Sequence, residues 1–341
     1  MAVLTTKIGN AAHCCGCVVV FFHNDQVVLV MPTNSNVNDV APSSLNHISG
    51  QKSVVRQVRV ALDACQIDGA RFPHALLIGP PGQGKSCIAG LIALEQAVDC
   101  QDLSSGGIRT ATDLNFVLMA ATDKSVVHFD EAHQLSIFFQ TTLLVCMDKQ
   151  QITVGRNAGV LNLPMANATF LFSTTSEELL IQPLRDRLRL QLRFEFLSDA
   201  ELTKVVQSRA RSLDWDIDET LLPQIAARGR GTPRTALNIL EAAHRYCRSL
   251  GEVTIAQAHL DAACEMEQIT SDGLNATDQS YMKTLIDGAK RINVIASMLG
   301  LPSRTLVSTT EPFLIRKNFL IKDDQSRRTL TSLGMMIARR L

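Results

Sequence analysis

Net charge is the first thing this chain lacks: 33 lysines and arginines face 33 aspartates and glutamates in 341 residues. Attraction to nucleic acid through overall charge is excluded, so any phosphate-binding surface must be a local patch. Long apolar runs are missing too. The run at 17–22 is too short to span a bilayer, and Asn24 and Asp25 interrupt it before 26–31 resumes. Neither a membrane segment nor a signal peptide is expected. The nine cysteines lack the spacing of a disulfide framework. Scattered and mostly inside apolar segments, they suit reduced thiols in a cytoplasmic protein. His13, Cys14, Cys15 and Cys17 have no second matching pair, which is poor zinc spacing, and plain thiols are the expectation there.

What is present is dominated by one segment. Gly79, Pro80, Pro81, Gly82, Gln83, Gly84, Lys85 and Ser86 follow the apolar run 75–78, and Cys87 opens a helix-favouring stretch to 95. Strand, glycine loop and helix in that order make a phosphate-binding loop. The glycines let the backbone wrap a phosphate chain with its N–H groups turned inward, and the helix N-terminus adds partial positive charge. Lys85 is placed to reach the terminal phosphates, and the Ser86 hydroxyl is a candidate Mg2+ ligand. The chain is expected to bind ATP with Mg2+.

A second apolar strand at 125–129 ends in Asp130 and Glu131. Asp130 can hold magnesium directly or through water, and Glu131 can orient and polarise an attacking water. His133 reads either as a coupling residue or as a cap. A third strand, 169–172, ends in Ser173, Thr174 and Thr175, so a hydroxyl at its tip can position the water. Arg185 and Arg187 are both candidates for a finger supplied to a neighbouring subunit. At 231–234 the order Gly, Thr, Pro, Arg opens a helix, with Thr232 at the cap and Pro233 in the first position. Arg234 then opposes the helix dipole, a mild penalty that makes sense if it meets a γ-phosphate.

Strands separated by helices imply an α/β domain built on a parallel sheet covered on both faces. A hairpin is expected at 151–163, with Arg156 and Asn157 at its tip. After 196 the strands stop, and 200–213, 219–227, 233–250 and 255–267 read as amphipathic helices. The last 65 or so residues read as helices ending in a hairpin, 318–322 with 328–331. Residues 1–40 stand apart, with a possible hairpin at 18–22 and 27–31 and a polar linker at 32–44.

Together these motifs resemble the AAA+ ATPases, and among them the RuvB family of Holliday-junction branch-migration motors. The resemblance covers the chain from about Ser44 onward. It rests on Leu45 to Gln51, the phosphate loop, Asp-Glu-x-His at 130–133, Thr-Thr at 174–175 and Pro-Leu-x-x-Arg at 183–187. Gly-Thr-Pro-Arg at 231–234 and Glu-Pro-Phe-Leu-Ile at 311–315 complete it. It implies a AAA+ ATPase domain at 41–196, a helical lid at 197–272 and a DNA-binding winged helix at 273–341, leaving 1–40 without a counterpart. It makes Lys85, Ser86, Asp130 and Glu131 the core site, Thr174 the first sensor, Arg187 the trans-acting finger and Arg234 the second sensor. It also implies a hexameric ring on duplex or junction DNA, with the 151–163 hairpin docked on a RuvA-like junction-binding protein. Arg316, Lys317, Arg327 and Arg328 are the expected DNA contacts, clustered with Lys322.

The chain departs from the family where Ala41 precedes Pro42, in place of an arginine. It also departs in the wing, which reads Lys322-Asp-Asp-Gln-Ser-Arg-Arg328, with two aspartates that oppose phosphate contact, and in a shortened turn at 288–292. Two other expectations compete with a DNA motor: a AAA+ remodeller acting on a protein partner, and a clamp-loader relative.

Overall fold

The structure, a computed structural model, describes residues 42–156 and 159–341 together with the backbone of one separate hairpin. That hairpin pairs β1 (Val19–His23) with β2 (Gln26–Val30), Val19 opposite Val30. The cysteines and histidine at 13–17, most of the expected linker, the side chain of Arg156 and all of Asn157 lie outside the described residues.

Near the start of the ATPase unit the Ser44 hydroxyl donates to Glu95, and the chain runs into α1 (Lys52–Asp68). β3 (Ala75–Ile78) is buried at every residue, as expected for a strand covered on both faces. It leads through the phosphate loop into α2 (Lys85–Glu95). β4 (Cys100–Ser104), α3 (Ala111–Ala120), β5 (Val126–Asp130) and α4 (Ile137–Lys149) follow. The hairpin β6 (Gln151–Arg156) with β7 (Gly159–Pro164) precedes β8 (Thr169–Thr174), α5 (Gln182–Arg187) and β9 (Leu190–Arg193).

The sheet order is β4-β5-β8-β3-β9, all parallel. Alternate side chains of one strand serve two cores. Phe170 and Phe172 join Phe129, Leu118 and Leu143 on one face, while Leu171 joins Ile88, Ile92 and Val58 on the other. The inner strands match the expected runs. The edge strands β4 and β9 do not stand out in the sequence, because an edge strand half open to water carries polar residues such as Gln101, Asp102 and Gln191.

The lid packs α6 (Asp199–Ser212), α7 (Leu222–Arg228), α8 (Pro233–Ser249) and α9 (Gln257–Met266) around Leu202, Val206, Ile225 and Leu240. The last unit holds α10 (Ala276–Thr284), β10 (Lys290–Arg291) and α11 (Ile292–Leu299). α12 (Ser303–Thr305) then passes through a π-turn at Leu306–Thr310 into α13 (Glu311–Arg316). The unit closes with the hairpin β11 (Leu320–Lys322) and β12 (Arg327–Leu330) and with α14 (Ser332–Ala338). Its three strands run in the order β10-β12-β11, so helices and a terminal hairpin make a winged helix. The hairpin falls where expected, although α14 and the two-residue β10 had no legible signal. Among the described residues no helix is long and apolar enough to cross a membrane.

Candidate active site

The phosphate loop that follows β3 and the carboxyl end of β5 meet at a cavity of about 610 Å³; Thr174, at the end of β8, is not among the residues that line it. Ile48, Leu197, Val205 and Leu237 line its apolar side; the phosphate loop, Asp130, Glu131 and Arg234 line the polar side. Ligands of parallel α/β sheets bind outside the carboxyl ends of the strands, and a cavity of this size suits a nucleotide.

Local sequence sets each group. Gly79 anchors the loop by donating to Thr174 O at 3.2 Å. Lys85 is buried at the start of α2, and its Nζ donates to the carbonyls of Gly79 (2.8 Å) and Pro80 (2.9 Å). Burial pulls its pKa down, while the Glu131 and Asp130 charges push it back up. Ser86 follows on the cavity wall. Of the expected loop residues, Pro81 to Cys87 line the cavity, whereas Gly79 and Pro80 are not among its lining residues.

β5 delivers Asp130 and Glu131 to the same cavity. Asp130 Oδ1 accepts the Glu131 N–H at 3.0 Å. Glu131 has a φ of 50°, in the left-handed region that costs a non-glycine residue energy and gathers at functional sites. Its Oε2 lies 3.2 Å from His133 Nδ1, which is itself 3.1 Å from Thr174 Oγ1. One ring nitrogen therefore stands between the carboxylate after β5 and the buried hydroxyl at the end of β8. Thr174 Oγ1 also accepts the Ser176 N–H at 3.0 Å, which fixes its rotamer.

Behind this pair lies an arrangement the sequence did not disclose. His128 is fully buried in β5, with Nδ1 2.8 Å from Asp102 and Nε2 2.6 Å from Ser173 Oγ. A carboxylate only accepts, so Nδ1 carries the proton. That bond holds the Asp102 carboxyl below the usual range. Three neighbouring strands are thus pinned just below Asp130 and Thr174. The available signal was a histidine inside an otherwise apolar strand, two residues before Asp130.

Arg234 comes from the lid. Its backbone N–H reaches Gly82 O at 3.4 Å, and its side chain lines the same cavity as Lys85. Arg187 is elsewhere. It ends α5, just before β9, whose Leu190 pairs with the first residue of β3, and its Nε lies 2.9 Å from Asp148. It sits at the end of the sheet away from the phosphate loop, outside the cavity. Arg185, the other candidate, turns toward Gln182 and keeps its Nε buried.

The wing residues divide. Arg328 is a correction: it is buried, with Nε 2.7 Å from Glu311, and is not a surface cation. Glu311, from the Glu-Pro-Phe-Leu-Ile segment, also takes Lys322 (2.7 Å) and the Tyr281 hydroxyl (2.8 Å). Burial pushes the Glu311 carboxyl up, but these hydrogen bonds outweigh it and hold it low. Arg316 lies with its guanidinium 3.3 Å from the centre of the Phe196 ring, and Lys317 is 4.0 Å from Asp199. Arg327 is exposed on the hairpin beside Asp323, at 2.7 Å. Asp323 Oδ1 accepts the N–H groups of Gln325 and Arg327 and so shapes the tip. One of the two wing aspartates is therefore a turn-former with its own cation.

A phosphate loop after the first core strand, an acidic pair at the neighbouring strand end and an arginine from a helical lid define a P-loop ATPase of the AAA+ class, here carrying a winged helix. Comparison with known proteins narrows this. The Holliday junction DNA helicase RuvB P-loop domain matches residues 40–194, the RuvB AAA lid domain 197–270 and the RuvB C-terminal winged helix domain 271–338. The chain belongs to the RuvB family. The Holliday junction branch migration complex subunit RuvB of Anaeromyxobacter sp. (strain K) is 30% identical over 294 residues, 84% of this chain and 86% of that protein. The same subunit of Rhodopirellula baltica is 31% identical over 294 residues, 84% of this chain and 80% of that protein. The solved Thermotoga maritima RuvB Holliday junction branch migration motor superposes with a TM-score of 0.76 at 26% identity, over 87% of this chain and 97% of that one.

Proposed function

We propose that this protein is an ATP-driven motor that moves four-way DNA junctions in recombination and repair, acting in the cytoplasm as a homo-hexameric ring. The observation that carries this reading is the split of the site. Lys85, Asp130, Glu131 and Arg234 share one cavity, whereas Arg187 of the same chain lies outside it. A neighbouring copy would then supply Arg187, making hydrolysis a property of the ring.

Within the site, Lys85 and Arg234 neutralise phosphate charge. Ser86 and Asp130 line the same cavity and offer the hard oxygen donors that Mg2+ prefers, so the residues fit the ion; bound there, it would offset charge on the phosphates. Glu131 takes the proton of the attacking water, and Thr174 positions that water with His133 at its side. Residues 41–196 would burn ATP, 197–272 would move with it and 273–341 would hold DNA. The hairpin β6–β7 would dock on a RuvA-like junction-binding protein.

Arg327, Lys322 and the segment around Lys317 remain the wing's candidates for phosphate contact. The burial of Arg328 and the pairing of Lys322 with Glu311 favour one second reading, a wing that grips a protein partner. The deciding experiment measures binding to synthetic four-way junctions and linear duplex across a salt series, with and without ATP, and strand separation on the junctions. Binding should weaken steeply with salt, and junctions should be resolved only with ATP. No binding at low salt would refute the DNA-motor reading and leave the protein-partner reading standing.

A further inference from the structure

Gln83 holds the variable position of the phosphate loop, yet its side chain is only 3% exposed. Its amide nitrogen donates to Gly231 O at 3.0 Å and reaches Thr232 Oγ1 at 3.4 Å. The loop and the lid touch at the neighbouring residue as well. Gly82, at a φ of 74°, leaves no room for a Cβ, which would stand 2.8 Å from Thr232 and 2.9 Å from Arg234. Gly231 O also accepts the Leu197 N–H at 2.9 Å, so the chain entering the lid converges on the same carbonyl.

One residue upstream the contacts pass into the winged helix. Arg230 pairs with the fully buried Asp278 of α10 at 2.9 Å, and its guanidinium lies 4.1 Å from the centre of the Phe313 ring. Arg316 returns from α13 to donate to Arg230 O at 3.1 Å and to cover Phe196. A Cβ on Gly231 would stand 3.0 Å from Arg316 and 3.1 Å from Phe196. Buried ion pairs with this geometry are poor sources of stability but tolerate little displacement, because separating them leaves a charge unpaired in the interior.

We propose that Gln83 is a positioning residue that ties the phosphate loop to Gly231, so that Arg234 and, through the Arg230–Asp278 pair, the winged helix take their places from the loop. This rests on reading Arg234 as a phosphate-sensing residue and the wing as the DNA-bearing unit. The wing then moves with the lid as one body when the loop closes on nucleotide, and Arg230 is the joint between them.

Hydrogen exchange on the full chain tests this, with and without a saturating non-hydrolysable ATP analogue and Mg2+. In the unmodified protein, nucleotide should slow exchange at 228–234 and at 276–284 together. Gln83→Leu, which keeps the bulk and removes the amide, should shrink both responses about fivefold, the worth of one buried neutral hydrogen bond. Asp278→Asn should keep the response at 228–234 and lose it at 276–284; Arg230→Lys gives the same pattern should Asp278→Asn fail to fold. A merely structural contact would alter exchange equally in both nucleotide states. The proposal is overturned if Gln83→Leu responds like the unmodified protein, or if 276–284 responds in both joint variants. It is equally overturned if 276–284 never responds while 228–234 does. Junction-stimulated hydrolysis separates the two ideas: intact exchange responses at 228–234 and 276–284 in a chain that cannot move junctions sink the motor reading alone.

Discussion

His133 shows what one side chain can add to a motif. Its Nδ1 sits between Glu131 Oε2 and Thr174 Oγ1, so one ring nitrogen links the two groups proposed as base and sensor. Glu131→Gln should bind ATP normally and lose turnover, because an amide cannot take the proton; normal turnover measured at saturating ATP would refute its role. His133→Ala should lower kcat by about 10- to 100-fold with little change in KM, since it removes orientation and leaves the base in place. A rise in KM alone would place His133 in ground-state binding. His74 illustrates titration. Burial, with help from the Arg71 and Arg187 charges, drops its pKa to about 3. Between that value and its unfolded value near 6.5 the unfolded chain binds the extra proton, so stability present above pH 6.5 is lost on acidification. Going from pH 6.5 to 4.5 should cost on the order of 2 to 3 kcal/mol from this residue. Denaturant titrations at both pH values should show a shallower loss in His74→Asn, which keeps an acceptor for the Phe170 N–H.

At the scale of elements, the wing hairpin is held by one carboxylate. Glu311 gathers Arg328 from β12, Lys322 from β11 and Tyr281 from α10. Glu311→Ala leaves Arg328 buried without its partner, which should cost the winged helix about 3 to 5 kcal/mol. Faster exchange in β12 and α13, with the parallel sheet unchanged, is the expected signature; unchanged exchange in β12 would show that the cluster is dispensable. The same cluster explains why the signature segment was legible while the fate of Arg328 was not. A sequence shows Arg327 and Arg328 side by side in one strand, but which of them faces inward is set by strand register, and a one-residue shift swaps them. Core strands were legible as unbroken apolar runs because both their faces are covered. Strand β4 was not, since its edge position asks for no apolar run, and so the Asp102–His128–Ser173 bridge that depends on it stayed hidden.

For the whole molecule the question is whether Arg187 serves a neighbouring copy. Arg187 lies outside the cavity its own chain forms, and it leans on Asp148 at the molecular surface. Arg187→Ala and Lys85→Ala proteins should each be inactive as uniform assemblies and partly active when mixed. In the mixture a subunit with an intact Lys85 can meet a neighbour with an intact Arg187. Hydrolysis measured across mixing ratios should pass through a maximum; a flat zero would exclude a finger acting between copies.

The order of motifs along the chain determined the chemistry by itself: glycine loop, acidic strand end, hydroxyl strand end and lid arginine are local patterns whose spacing already implies strand, turn and helix. Tertiary structure alone decided which cations remain free, which histidine stands against the base and how the loop is joined to the wing. Those outcomes depend on pairs such as Gln83 with Gly231 and Arg230 with Asp278. Such residues lie far apart in sequence, and only the packed chain brings them within hydrogen-bonding distance.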